Sequence, residues 1–84
     1  YGGLIKIVLD DGKPLPAGAV VRIEGQPEEF PVALEGEAYL TGLKATNNLR
    51  AEWRGQGCNI VLSVPQSSDP LPHFGTFICK GVKP

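Results

Sequence analysis

Few residues in this chain could do chemistry. His73 is the single histidine, Cys58 and Cys79 are the two cysteines, and Asp10 and Asp11 form a carboxylate pair. The stretch 67–73, "SSDPLPH", holds the three residue types of a hydrolytic triad. A triad needs its base held within hydrogen-bonding reach of the nucleophile by rigid elements. A proline-bound loop does not supply that support, so His73 is expected at the surface without a catalytic part. One histidine and two cysteines also fall short of four tetrahedral zinc ligands. Asp10 and Asp11 sit in the turn "DDGK", where carboxylates accept from backbone donors, and they lack the ligand spacing of a calcium loop. The glycines of "GEAYLTGL" follow no phosphate-cradle pattern. No enzyme activity, cofactor or metal is expected.

The cysteines remain. They have neither CxxC spacing nor a histidine cluster beside them, which leaves one structural disulfide or two buried thiols. Each lies at the rim of an expected strand, which favours the bridge Cys58–Cys79. Closing that loop contributes about 3 kcal/mol and implies an oxidising compartment. A chain of 84 residues buries only about 60–65% of its unfolded surface, so a cross-link matters to it.

The elements that must position these residues are strands. No window combines helical apolar spacing with freedom from Gly and Pro, and the 11 glycines and 8 prolines indicate many turns. Period-two alternation places Ile5, Ile7 and Leu9 on one face, then Ala19, Val21 and Ile23, with Arg22 and Glu24 opposite. "FPVALEG" is a short run in which Pro31 marks an edge or a strand start. "AYLTGL" follows. In "LRAEW", Leu49, Ala51 and Trp53 face in and Arg50 and Glu52 face out. "CNIVLSVP" puts Cys58, Ile60, Leu62 and Val64 on one face. "QSSDPLPHFG" reads as a loop, and "TFICKG" as the last strand. The expected fold is all-β: one small β-sandwich of about seven short, mainly antiparallel strands over residues 1–84, closed by one disulfide. Trp53 is expected in its core, with Leu49 and Leu40.

Formal net charge is -1, which gives no field for nucleic acid or anionic lipid. Residues 24–37 carry Glu24, Glu28, Glu29, Glu35 and Glu37 without a base, a local charge of -5. Such a hairpin is usually a solvated surface; it could also steer a basic partner. No run approaches the roughly 18 apolar residues of a membrane helix. The chain has no Met, and Tyr1 is expected to be an internal residue of a longer parent from which this piece is excised or processed.

The order "PLPAGA", "GEAYLTGL" and "LRAEWRGQGC", with a strand ending "SVP" and a final cysteine, resembles the C-terminal domain of outer-membrane ushers. Ushers are the secretion platforms of the chaperone–usher pathway, which assemble pili on Gram-negative bacteria. The matching positions are Leu15, Pro16, Gly18 and Ala19; Gly36, Leu40, Gly42 and Leu43; Leu49, Trp53 and Cys58; and Cys79. They extend from about residue 4 to residue 80. Ala17 stands where the family usually has Phe, and the segment before Cys79 is long and proline-rich.

The resemblance implies a periplasmic domain hung from a β-barrel in the outer membrane, with no membrane contact of its own. It implies binding of chaperone–pilus subunit complexes, whose subunits polymerise by donor-strand exchange, and contact with other domains of the same usher. It implies no nucleotide or metal. The matching residues are turns, core and bridge, so they do not mark the partner surface. Two surfaces are candidates: the acidic hairpin around Glu28 and Glu29, and an exposed strand edge, where Pro31 would discourage unwanted sheet growth. A second reading is a structural Ig-like stalk domain of another bacterial surface protein. The "PLP.GA" and "W…C" order favours the usher.

Overall fold

Alternating burial turns the apolar periods into strands. The computed structural model describes residues 2–64 and 72–83. The strands are β1 (Gly3–Val8), β2 (Val20–Ile23), β3 (Glu29–Pro31), β4 (Glu37–Leu40), β5 (Thr46–Trp53), β6 (Gln56–Ser63) and β7 (His73–Ile78), with a 3-10 turn at Leu34–Gly36 between β3 and β4. They form a three-stranded sheet in the order β4-β1-β7 and a four-stranded sheet in the order β3-β2-β5-β6. All pairings are antiparallel except β1 with β7, which is parallel. The inward residues of both sheets, including Ile5, Ile7, Val21, Ile23, Leu49, Ile60 and Leu62, make one core. Pro31 ends β3, an edge strand, where its missing N–H leaves no gap in a ladder.

Several strand limits differ from the sequence expectation. β3 takes only Glu29–Pro31, the rest of "FPVALEG" running into the 3-10 turn Leu34–Gly36; β4 ends at Leu40, before "TGL"; and β6 begins at Gln56, two residues before "CNIVLSVP". β5 begins at Thr46, three residues before "LRAEW", and β7 begins at His73, three residues before "TFICKG". β7 starts early because β1 recruits its backbone: Leu4 N–H donates to the Pro72 carbonyl at 2.9 Å, and Leu4 stands opposite His73. The register then shifts before Lys6 meets Thr76. Backbone pairing of this kind leaves no side-chain period to read. Of the expected loop 65–75, residues 65–71 lie outside the described residues.

Two turns fix the geometry near the candidate surfaces. β5 and β6 are joined by Arg54 and Gly55 alone, with φ of 49° and 77°. Positive φ at both central residues is the two-residue hairpin turn whose twist matches its strands. Gly36, at φ 74°, packs so closely on the Ile7 carbonyl that no β-carbon fits. This seats the 3-10 turn on β1.

Candidate functional site

The bridge Cys58–Cys79 joins the two sheets, with Cα atoms 5.4 Å apart. Cys58 lies in β6, an edge of the four-stranded sheet. Cys79 follows β7, an edge of the three-stranded sheet. Around it the chain end is clamped. The Gln56 amide donates to the Lys83 carbonyl and accepts from the Lys83 N–H, both at 2.8 Å, and Gly81 N–H donates to Asp10 Oδ2 at 3.2 Å. Val82 is buried between these ties.

Leu40 and Leu49 are buried in the core. The sequence period placed Trp53 in the core, but it is only half-buried and packs against the core from one side. It is the last residue before the β5–β6 turn, where the sandwich opens to water, and the Arg54 guanidinium lies 4.8 Å from its ring centroid. The period identifies the face of the strand but not the depth along it.

Asn47 is a structural residue that sequence reasoning missed. It is buried. Its side chain accepts from Lys44 N–H at 2.8 Å and donates to the Lys44 carbonyl at 2.7 Å and the Leu62 carbonyl at 3.4 Å. Extending the Leu49–Ala51–Trp53 period one step back would have placed it inward. A polar side chain at that step carries no apolar signal by which to extend the period.

The residues screened for chemistry are dispersed. His73 is exposed and its Nδ1 accepts from Gly75 N–H at 3.2 Å. Asp11 accepts from Lys13 N–H at 3.0 Å, a turn contact. Among the described residues no group of three or more His, Cys, Asp and Glu could hold a metal ion.

The outer face of the four-stranded sheet is laced together. Arg22 on β2 pairs with Glu29 on β3 at 2.8 Å and Glu52 on β5 at 2.9 Å. Asn48 donates to Glu24 at 2.8 Å, and Arg50 to Asn59 at 3.2 Å. An open depression of about 630 Å³ runs along this face between the 24–26 turn and Val61. The acidic hairpin is therefore partly neutralised: Glu29 is shared with Arg22, whereas Glu28 is exposed.

The outer face of the three-stranded sheet has another character. Leu4 stands opposite Tyr39, and Val8 opposite Ile78, with the Lys6–Glu37 rung between them. Tyr39 is 47% exposed and Ile78 54%. Leu34, in the 3-10 turn that leads into β4, is 78% exposed. Apolar side chains paired across a ladder and open to water are the usual mark of a docking face.

These observations define the class: a disulfide-closed β-sandwich, of seven strands among the described residues, whose candidate functional surfaces are sheet faces and strand edges. Residues 4–66 match the PapC C-terminal domain family, and the chain belongs to that family of usher C-terminal domains. Membership separates it from the stalk domain of an unrelated surface protein. It is 35% identical over 79 residues to the outer membrane usher protein AfaC of Escherichia coli, covering 87% of this chain and 9% of that protein. It is 29% identical over 84 residues to the outer membrane usher protein SefC of Salmonella enteritidis, covering 92% of this chain and 10% of that protein. The chain thus spans about a tenth of the length of these curated relatives.

Two solved structures share the fold along the chain. The C-terminal domain of the Caf1A usher superposes with a TM-score of 0.75 at 26% identity, covering 95% of this chain and 97% of that one. Conserved hydrophobic clusters on the surface of that domain are important for F1 antigen assembly. The C-terminal domain of the PapC usher gives a TM-score of 0.66 at 28% identity, covering 95% and 99%.

Proposed function

We propose that this domain binds chaperone–subunit complexes during pilus assembly, on the periplasmic face of an outer-membrane usher, and catalyses no reaction. The observation that carries the reading is the outer face of β4-β1-β7, where Leu4 with Tyr39 and Val8 with Ile78 leave apolar pairs in water. A sheet face that had only to be soluble would carry mostly polar side chains there, as the opposite sheet does apart from Val61, which is 65% exposed on its edge strand. The surface clusters of the Caf1A domain support a docking role for such residues. The rigid, cross-linked sandwich suits a module that receives and releases cargo without changing shape.

Electrostatic steering is a second, smaller contribution. Glu28 is exposed beside the turn that carries Glu24, and an exposed rim charge acts mainly on the association rate. Contacts with other domains of the same usher fall to the remaining surface.

The test is surface plasmon resonance with immobilised domain and a purified chaperone–subunit complex of the same assembly system. The parent domain is expected to bind, and Tyr39→Glu and Ile78→Glu are each expected to weaken binding about tenfold or more while thermal melting stays unchanged. A parent domain that does not bind ends the proposal. Variants that bind as the parent does would move the site off this face.

A further inference from the structure

Among the described residues the two sheets leave four strand edges, and three of them carry devices that discourage an added strand. β3 is three residues long, bears Glu29 and ends in Pro31. β4 is four residues long and begins with Glu37. β7 contains Gly75 at φ 116° and meets β1 through a register shift. Short length, charge, proline and irregularity are how sheets keep their edges from pairing. β6 has none of them. It runs for eight residues, Gln56–Ser63, without a charge or a proline, in an unbroken ladder with β5. Among the described residues β5 is its only ladder partner. The start of β6 is occupied by the Gln56 clamp on Lys83 and by the disulfide, so among the described residues the open stretch is Asn59–Ser63.

A guanidinium reaches this edge from the next strand in. Arg50 on β5 stands opposite Asn59 on β6 and opposite Arg22 on β2. Like charges directly opposed across a ladder repel, and the two side chains resolve this differently. Arg22 sits between Glu29 and Glu52. Arg50 lies over Gly57, where a β-carbon would come within 2.6 Å of its Nη2, and its Nη1 donates to Asn59 Oδ1. Gly57 thus leaves the space that lets Arg50 lie across β6. Among the described residues no carboxylate lies within 4.0 Å of Arg50.

We propose that the free edge of β6 accepts an extended segment of a protein partner that carries a carboxylate side chain on the outer face, where Arg50 meets it. Backbone pairing along Asn59–Ser63 supplies affinity that is indifferent to the partner's side chains. The Arg50–carboxylate contact sets the register, which backbone pairing alone leaves free to slip. A second copy of this chain fits less well. β6 contains no carboxylate, so strand-to-strand self-pairing brings no anion on β6 to either Arg50. The inference uses the sheet opposite the apolar docking face and does not depend on that reading.

The test uses the 84-residue chain and capped peptides of about eight residues, alternating threonine and valine, with one central glutamate or glutamine. Heteronuclear NMR and amide hydrogen exchange follow the binding. The glutamate peptide should shift and protect amides of Asn59–Ser63, and should bind about threefold or more tightly than the glutamine peptide at low salt. Added salt should shrink that difference. Arg50→Gln, at an exposed position, should abolish it, and Arg50→Lys should retain part of it. Val61→Lys, which puts a charge on the edge, should weaken both peptides. Perturbation centred on β3, β4 or β7, no perturbation at millimolar peptide, or equal affinity for the two peptides would overturn the proposal. So would a concentration-dependent dimer through β6 that the peptide does not dissociate.

Discussion

Across the outer face of β3-β2-β5-β6, polar side chains meet one another, and Val61 alone of the large apolar ones stands exposed among the described residues; across the outer face of β4-β1-β7, apolar pairs on neighbouring strands meet water. On the first, Arg22 links three strands through Glu29 and Glu52, and Asn48 and Asn59 partner Glu24 and Arg50. On the second, Tyr39 and Ile78 stay about half exposed beside Leu4 and Val8. Both faces rest on the same core and the same two-residue period, so folding alone does not require the difference. Exposed ion pairs add little stability, and exposed apolar pairs add little more. The contrast makes sense if the Arg22-linked part of one face is finished against solvent and the apolar face of the other sheet is kept for the chaperone–subunit partner.

The largest effect that would test this comparison comes from the seam both faces share. Replacing Cys58 and Cys79 together by Ser should lower stability by about 3 kcal/mol in urea unfolding and weaken partner binding only through unfolding. Selective loss of binding with unchanged stability would mean that the seam itself is the docking surface. Core-edge residues come next. Asn47→Ala leaves the Lys44 N–H and two carbonyls without their side-chain partner and should cost about 2 kcal/mol. Trp53→Ala should cost about 1–3 kcal/mol, below the range of a fully buried aromatic, and native fluorescence should show a ring partly accessible to quenchers. Freely quenched, red-shifted emission would place the ring in solvent.

Smaller effects separate the faces directly. Tyr39→Glu should weaken binding about tenfold, or 1.4 kcal/mol, with stability changed by less than about 0.5 kcal/mol. Arg22→Ala should do the reverse, costing at most about 1 kcal/mol of stability, less at high salt, and leaving binding unchanged. If Arg22→Ala weakened binding as much as Tyr39→Glu, the contrast between the faces would carry no functional meaning. The smallest expected change is kinetic: Glu28→Lys should slow association modestly at low salt and not at high salt. Equal rates at both would remove the hairpin from the encounter.

The sequence by itself determined the fold class, the seven strands and most inward residues. Alternation of apolar side chains is a local consequence of strand geometry, and it is written plainly in Ile5–Ile7–Leu9 and Cys58–Ile60–Leu62. The sequence favoured the Cys58–Cys79 bridge over two buried thiols, from two cysteines at the rims of expected strands without CxxC spacing, and the structure shows that bridge. Tertiary structure decided what depends on neighbours. β7 begins at His73 because β1 offers it backbone partners, which no local pattern records. Asn47 is inward because Lys44 and Leu62 satisfy its polar atoms. Trp53 stops half-buried because its strand ends where the sandwich opens. The acidic run 24–37 looked like one patch in the chain, but Arg22 neutralises part of it once β2 and β3 pair. The apolar face was not legible for the same reason. Leu4, Val8, Tyr39 and Ile78 lie on three strands far apart in sequence, and only the register of β4-β1-β7 brings them to one surface.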